Sequence, residues 1–82
     1  MNEVYLPELG EDVEGATIAC WHKKVGDEVH VDDDIVEVVT DKATFNVSAG
    51  NNGTLKEIRY KEGDVAKIGD VLAIVEPLSK GV

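Results

Sequence analysis

A single cysteine, Cys20, leaves the chain without any internal disulfide, and a small domain with no disulfide framework fits a reducing compartment, so the cytoplasm is expected. Aromatic residues are equally scarce. The four present, Tyr5, Trp21, Phe45 and Tyr60, form no stripe interleaved with lysine or arginine, so the stacking platform of a single-strand nucleic-acid binder is missing. Basic charge is short as well, with eight Lys and Arg against seventeen Asp and Glu, a net of −9. This balance disfavours a phosphate backbone and favours a basic protein surface as partner. No apolar run approaches the roughly 18 residues of a spanning helix, and the opening Met1–Tyr5 lacks the basic start and apolar centre of a signal peptide, so no membrane role is expected. No His-Cys pair, metal-ligand cluster or phosphate loop stands at a spacing that supports chemistry, so neither a catalytic residue nor a metal is expected.

What is present is a repeat. The 82 residues have room for one domain, whose folding buries only about 60% of the unfolded surface, so the core is small. Sliding the sequence by 37 positions aligns Thr17 with Thr54, Lys24 with Lys61, Gly26 with Gly63, Asp27 with Asp64, Asp33 with Asp70 and Val38 with Val75. Six identities in the 24 pairs from Ala16 to Val39 exceed the one or two that chance supplies, and Ile18/Leu55, Trp21/Ile58, Val31/Ile68 and Ile35/Leu72 match in the same register. Two similar halves follow, each with a long β-rich segment, a Gly-Asp turn, a short strand, a second turn and another strand. Nothing longer than a turn reads as helical.

The spacing of the repeat also predicts shape. Ile18 and Trp21 are three apart, as are Leu55 and Ile58, so a regular strand would point each pair to opposite faces. A shared bulge would turn both inward. The expected fold is therefore all-β, a flattened barrel or sandwich of two antiparallel sheets with quasi-twofold symmetry. Its expected core is Val4, Leu6, Ile18, Trp21, Val29, Val31, Val38, Leu55, Ile58, Ile68, Leu72 and Ile74. His22 and His30 read as outward strand residues, Cys20 as a small strand filler and Trp21 as a core anchor.

The halves differ where a function would lie. Thr40-Asp41-Lys42-Ala43-Thr44 joins two apolar runs, Ile35–Val39 and Phe45–Val47, and places Lys42 at the tip of a hairpin. The matching place in the second half falls at Leu78-Ser79, beyond Pro77. A lone lysine in a polar turn is ordinarily just a solvated residue. Here the surroundings add to it. Gly26 stands sixteen residues before the lysine and Gly53 eleven after, while Leu6-Pro7-Glu8-Leu9-Gly10-Glu11, Glu14-Gly15, Trp21 and Gly26-Asp27-Glu28-Val29 complete a pattern over residues 3 to 76.

That pattern resembles the lipoyl domain of the dihydrolipoamide acyltransferase (E2) component of 2-oxo acid dehydrogenase complexes. The resemblance implies a non-catalytic swinging-arm carrier. Lipoic acid would be joined covalently to Lys42 by a lipoate ligase or an octanoyl/lipoyl transferase, with Asp41 and Ala43 flanking the site. The arm would take an acyl group from a 2-oxo acid decarboxylase (E1), deliver it to the E2 acyltransferase core for transfer to coenzyme A, and be reoxidised by dihydrolipoyl dehydrogenase (E3). It further implies that Glu8, Glu11, Asp12 and Glu14, in the loop after the first strand, help E1 recognition. Twelve of the seventeen acidic residues lie in residues 1 to 41. Asp41 is expected to bond its own turn backbone, and Ala43 to leave room for an enzyme pocket.

The resemblance sets residues 1–77 as the carrier domain, itself monomeric, and 78–82 as the start of a linker or a tail. Departures bear on partner identity: Val39 stands where an acidic residue is common, the loop between Gly10 and Ile18 is one residue longer than usual, and Ser48–Asn52 lacks the usual proline. Three alternatives remain. A biotinyl carrier of a carboxylase has the same fold but brackets its lysine with methionines. A glycine-cleavage carrier is longer, with helices this chain has no room for. A structural module would never be modified.

Overall fold

The structure is a computed structural model that describes residues 2–77; the expected linker at 78–82 lies outside the described residues. Eight strands follow in order: β1 (Asn2–Tyr5), β2 (Gly15–Trp21), β3 (Glu28–Val29), β4 (Asp34–Val39), β5 (Thr44–Ser48), β6 (Gly53–Ile58), β7 (Val65–Lys67) and β8 (Val71–Pro77). They form two four-stranded antiparallel sheets, β1-β8-β6-β3 and β5-β4-β2-β7. Of the two expected shapes the sandwich is the one adopted, since the sheets do not close into a barrel. Among the described residues no helix is long and apolar enough to cross a membrane.

The repeat is the architecture. Exchanging β1 with β5, β8 with β4, β6 with β2 and β3 with β7 turns one sheet order into the other. The repeated spacing is explained bond by bond. The Gly26 N–H donates to the Leu55 carbonyl at 2.7 Å, and the Gly63 N–H donates to the Ile18 carbonyl at 2.8 Å, so each half closes on the other. Both glycines have positive φ, +100° and +94°, a backbone that costs a residue with a Cβ. The aspartate after each accepts an N–H three residues back, Asp27 from Lys24 at 2.8 Å and Asp64 from Lys61 at 2.9 Å. Asp33 and Asp70 do the same for the second turns, accepting from the His30 and Lys67 N–H groups, each at 2.9 Å.

The bulges stand where the odd spacing predicts them. Ile18 pairs with Val38 and Cys20 with Glu37, so Ala19 is the extra residue; Leu55 pairs with Val75 and Glu57 with Ile74, so Lys56 is its counterpart. Gly53 has a steric reason, because a Cβ there would lie 2.1 Å from the Glu76 carbonyl oxygen.

Between the sheets Val4, Leu6, Ile18, Val29, Val38, Leu55, Leu72 and Ile74 are buried as expected. Trp21, Ile58 and Ile68 are only half-buried, packed against the edge of the core, and the Trp21 indole N–H donates to the Tyr60 carbonyl at 2.8 Å. Val31 is a correction. It is 45% exposed, in the link between β3 and β4, where its N–H bonds Asn52 Oδ1 at 2.9 Å. Ile35 and Val36 are both fully buried because the β4–β5 register slips between Asp34 and Val36, which breaks the alternation.

Candidate functional site

β4 and β5 form the hairpin whose tip is residues 40–43, and Asp41, Lys42 and Ala43 are all exposed there. The ladder ends at the pair Val39–Thr44, and the Thr40 N–H then donates to the Ala43 carbonyl at 2.8 Å. Thr40 holds the turn. Its hydroxyl oxygen accepts the N–H of Lys42 at 3.2 Å and of Ala43 at 3.1 Å, and its O–H donates to the Ala43 carbonyl at 3.2 Å. Asp41, expected to bond the turn backbone, has no such bond among the described residues; the threonine one place earlier takes that part. A hydroxyl that ties down the two amides behind the tip fixes the backbone while leaving the lysine stem free. Lys42 is in no ion pair among the described residues. A primary amine on a stiff two-stranded support, with nothing enclosing it, fits covalent attachment of a long acyl arm.

Beside the tip runs an open groove of about 400 Å³, lined by Asp12, Val13, Glu14, Gly15, Ala16, Thr17, Val39, Thr40, Asp41 and Val65. It joins the loop after β1 to the lysine turn. Of the four acidic loop residues, Asp12 and Glu14 reach this groove; Glu8 and Glu11 are exposed but do not line it. Asp12 is held at φ +64° in a turn closed by the Val13 N–H on the Gly10 carbonyl at 3.3 Å. Val39 and Val65, 37% and 66% exposed, give the groove an apolar wall. Val65 was not a candidate in the sequence, because its place beside the tip depends on β7 pairing with β2.

The other candidates behave differently. His30 is exposed between Glu28 and Asp33, at 3.6 and 3.3 Å. Cys20 on β2 and His22 in the bend just past its end, expected as a strand residue, come together with Glu37 on β4. Linear spacing gave no sign of this trio.

Comparison with known proteins places these features in a family. The family described as "Biotin-requiring enzyme" matches residues 2–75. The chain is 47% identical over 62 residues to the dihydrolipoyllysine-residue succinyltransferase component of the 2-oxoglutarate dehydrogenase complex of Buchnera aphidicola, covering 76% of this chain and 15% of that protein. The corresponding protein of Bartonella vinsonii is 43% identical over 75 residues, covering 92% of this chain and 18% of that one. The dihydrolipoyllysine-residue acetyltransferase component of the pyruvate dehydrogenase complex of Corynebacterium glutamicum is 43% identical over 72 residues, covering 88% and 11%. The chain thus spans less than a fifth of the length of these curated relatives. Among solved structures, the lipoyl domain of the Azotobacter vinelandii 2-oxoglutarate dehydrogenase complex superposes with a TM-score of 0.74 at 34% identity, covering 93% of this chain and 96% of that one. The Kluyveromyces lactis urea carboxylase superposes at 0.79 with 23% identity over 92% of this chain and 6% of its own, a likeness of fold alone.

Proposed function

Because the chain belongs to the biotin- and lipoyl-attachment family, and within it to the lipoyl domains of 2-oxo acid dehydrogenase complexes, we propose that Lys42 is the residue that carries its lipoic acid. The observation that supports this most is the solvent-facing amine at a reversal pinned from behind by Thr40. When bound, the dithiolane supplies acyl-carrying and redox chemistry. The chain's own residues supply position. Thr40 sets the turn, Asp41 and Ala43 flank the amine without covering it, and the β4–β5 ladder keeps the tip away from the core.

The parent protein is then an E2 acyltransferase of the cytoplasm, and this domain is its non-catalytic carrier. Its partners are a lipoate ligase or octanoyl/lipoyl transferase, the E1 decarboxylase, the E2 core and E3. Asp12 and Glu14, sharing the groove with Asp41, present negative charge to E1 beside the arm. Glu8 and Glu11 add to the field of the same loop at longer range.

Offering the purified domain lipoate ligase or biotin ligase, each with its cofactor, and reading intact mass tests the attachment. Lipoyl mass on the parent chain and none on Lys42→Ala, with the melting curve of that variant unchanged, is expected. Biotin uptake without lipoyl uptake favours the carboxylase reading. Lipoyl mass persisting in Lys42→Ala would move the site elsewhere.

A further inference from the structure

A row of side chains crosses the outer face of the sheet that carries the lysine turn. Cys20 on β2 is paired with Glu37 on β4, and Glu37 with Asn46 on β5. His22 is the first residue past β2, and its N–H still donates to the Ile35 carbonyl of β4 at 2.8 Å, which keeps it beside this row. Its Nε2 lies 3.1 Å from Asn46 Oδ1. The Cys20 sulfur, a His22 ring nitrogen and a Glu37 carboxylate oxygen all stand within 4.8 Å of one another.

Thiolate, imidazole and carboxylate are the three ligand types zinc uses, and three protein ligands with a water in the fourth place is the count of an open tetrahedral site. Bond lengths of about 2.0–2.3 Å put neighbouring ligand atoms roughly 3.5 Å apart in such a site. The trio therefore has to close by about 1 Å, which rotation of an exposed histidine and a half-exposed glutamate can provide. The geometry points to a site for one divalent transition-metal ion of zinc's kind on Cys20, His22 and Glu37, with the Asn46 amide orienting the imidazole. Orientation of a ligating ring by a neighbouring oxygen is the usual arrangement around such ions.

Binding forms the sulfur–metal bond, breaks the Cys20 S–H and releases its proton to solvent.

The other half gives the control. Its equivalent row is Glu57, Ile74 and Glu3, with Arg59 where His22 stands, and Arg59 Nε lies 3.4 Å from a Glu57 oxygen. The same scaffold stands there without the ligand set, so the fold does not require the ion. Bound in the first half, the ion would clip β2 to β4, one strand of the lysine hairpin.

Titrating the unmodified 82-residue chain with Co²⁺, under a thiol-free reductant, tests this. A thiolate-to-cobalt charge-transfer band saturating at one equivalent, displaced by Zn²⁺, is expected, with a raised melting temperature when Zn²⁺ is present. Cys20→Ser should abolish the band, His22→Ala and Glu37→Gln should each weaken binding at least tenfold, and Arg59→Ala should leave it unchanged. Melting curves in chelator check that every variant folds, and Glu37→Gln carries the test if Cys20→Ser does not. Absence of the band, or an equal affinity in His22→Ala or in Glu37→Gln, overturns the three-ligand assignment.

Discussion

Residues 16–39 and 53–76 are built on the same joints and diverge on the outer faces those joints hold up. Gly26 and Gly63, Asp27 and Asp64, Asp33 and Asp70 make the same hydrogen bonds at nearly the same distances. On the outer faces, by contrast, Cys20, His22 and Glu37 face Glu57, Arg59 and Ile74 across the pseudo-axis. Stability is thus expected to be shared equally between the halves, while the proposed chemistry belongs to one. A duplicated scaffold can vary its outer side chains freely as long as the turns and bulges keep their residues.

The largest expected effect tests the equality. Ile18→Ala and Leu55→Ala should each cost roughly 2–5 kcal/mol, with similar values, because both empty equivalent fully enclosed sites next to a bulge. Urea unfolding of the two variants checks this, and one costing several times the other would break the symmetry. Gly26→Ala and Gly63→Ala come next. A Cβ at either meets nothing within 4 Å, so the loss is backbone strain alone, about 1–2 kcal/mol in each case.

Thr40→Val sharpens the other side of the comparison. It should lower stability by about 1 kcal/mol, since two turn amides lose their acceptor, and should slow ligase-dependent modification of Lys42 severalfold. Thr40→Ser should restore both, as read by thermal melts and by mass against time. An unslowed Thr40→Val would make the turn's rigidity irrelevant to its use.

The smallest effect appears in acid. The backbone N–H of His30 holds the Asp33 carboxyl below its ordinary range, and the N–H of Lys67, followed by the Tyr60 hydroxyl at 2.7 Å, does so for Asp70. With both values lowered by folding, the stabilisation is present above the ordinary carboxylate value of about 3.9 and is lost as pH falls through the folded values. Asp33→Asn and Asp70→Asn should each flatten the acid limb of a stability–pH curve. At high salt Tyr60→Phe should keep its effect, whereas Lys23→Gln, which removes a charge acting on Asp33, should lose it.

Much of the fold could be read from residues because its determinants are local. The Gly-Asp turns satisfy their own backbones, and an odd spacing repeated in both halves marks the bulges. Val31 was misplaced by the repeat itself: its counterpart Ile68 packs on the core, and likeness of type does not guarantee likeness of depth. Lys42 was legible as a tip residue. Thr40 as its support was not, since Asp41 has the stronger turn preference and only the geometry shows which oxygen faces the amides. The groove beside the tip and the Cys20 trio depend on pairing between distant strands, which no linear spacing records.

The crossed closure of the halves has a bearing on synthesis. The first sheet needs β8 in its interior, between β1 and β6, and β1 has no other strand beside it. A nascent chain therefore gains little from its early segments and must wait for nearly its last strand before the whole becomes stable at once. The β4–β5 hairpin, in the other sheet, thus gains its full backing only when β8 is in place, and an enzyme that demands that backing is expected to act only once residue 77 is free to pair.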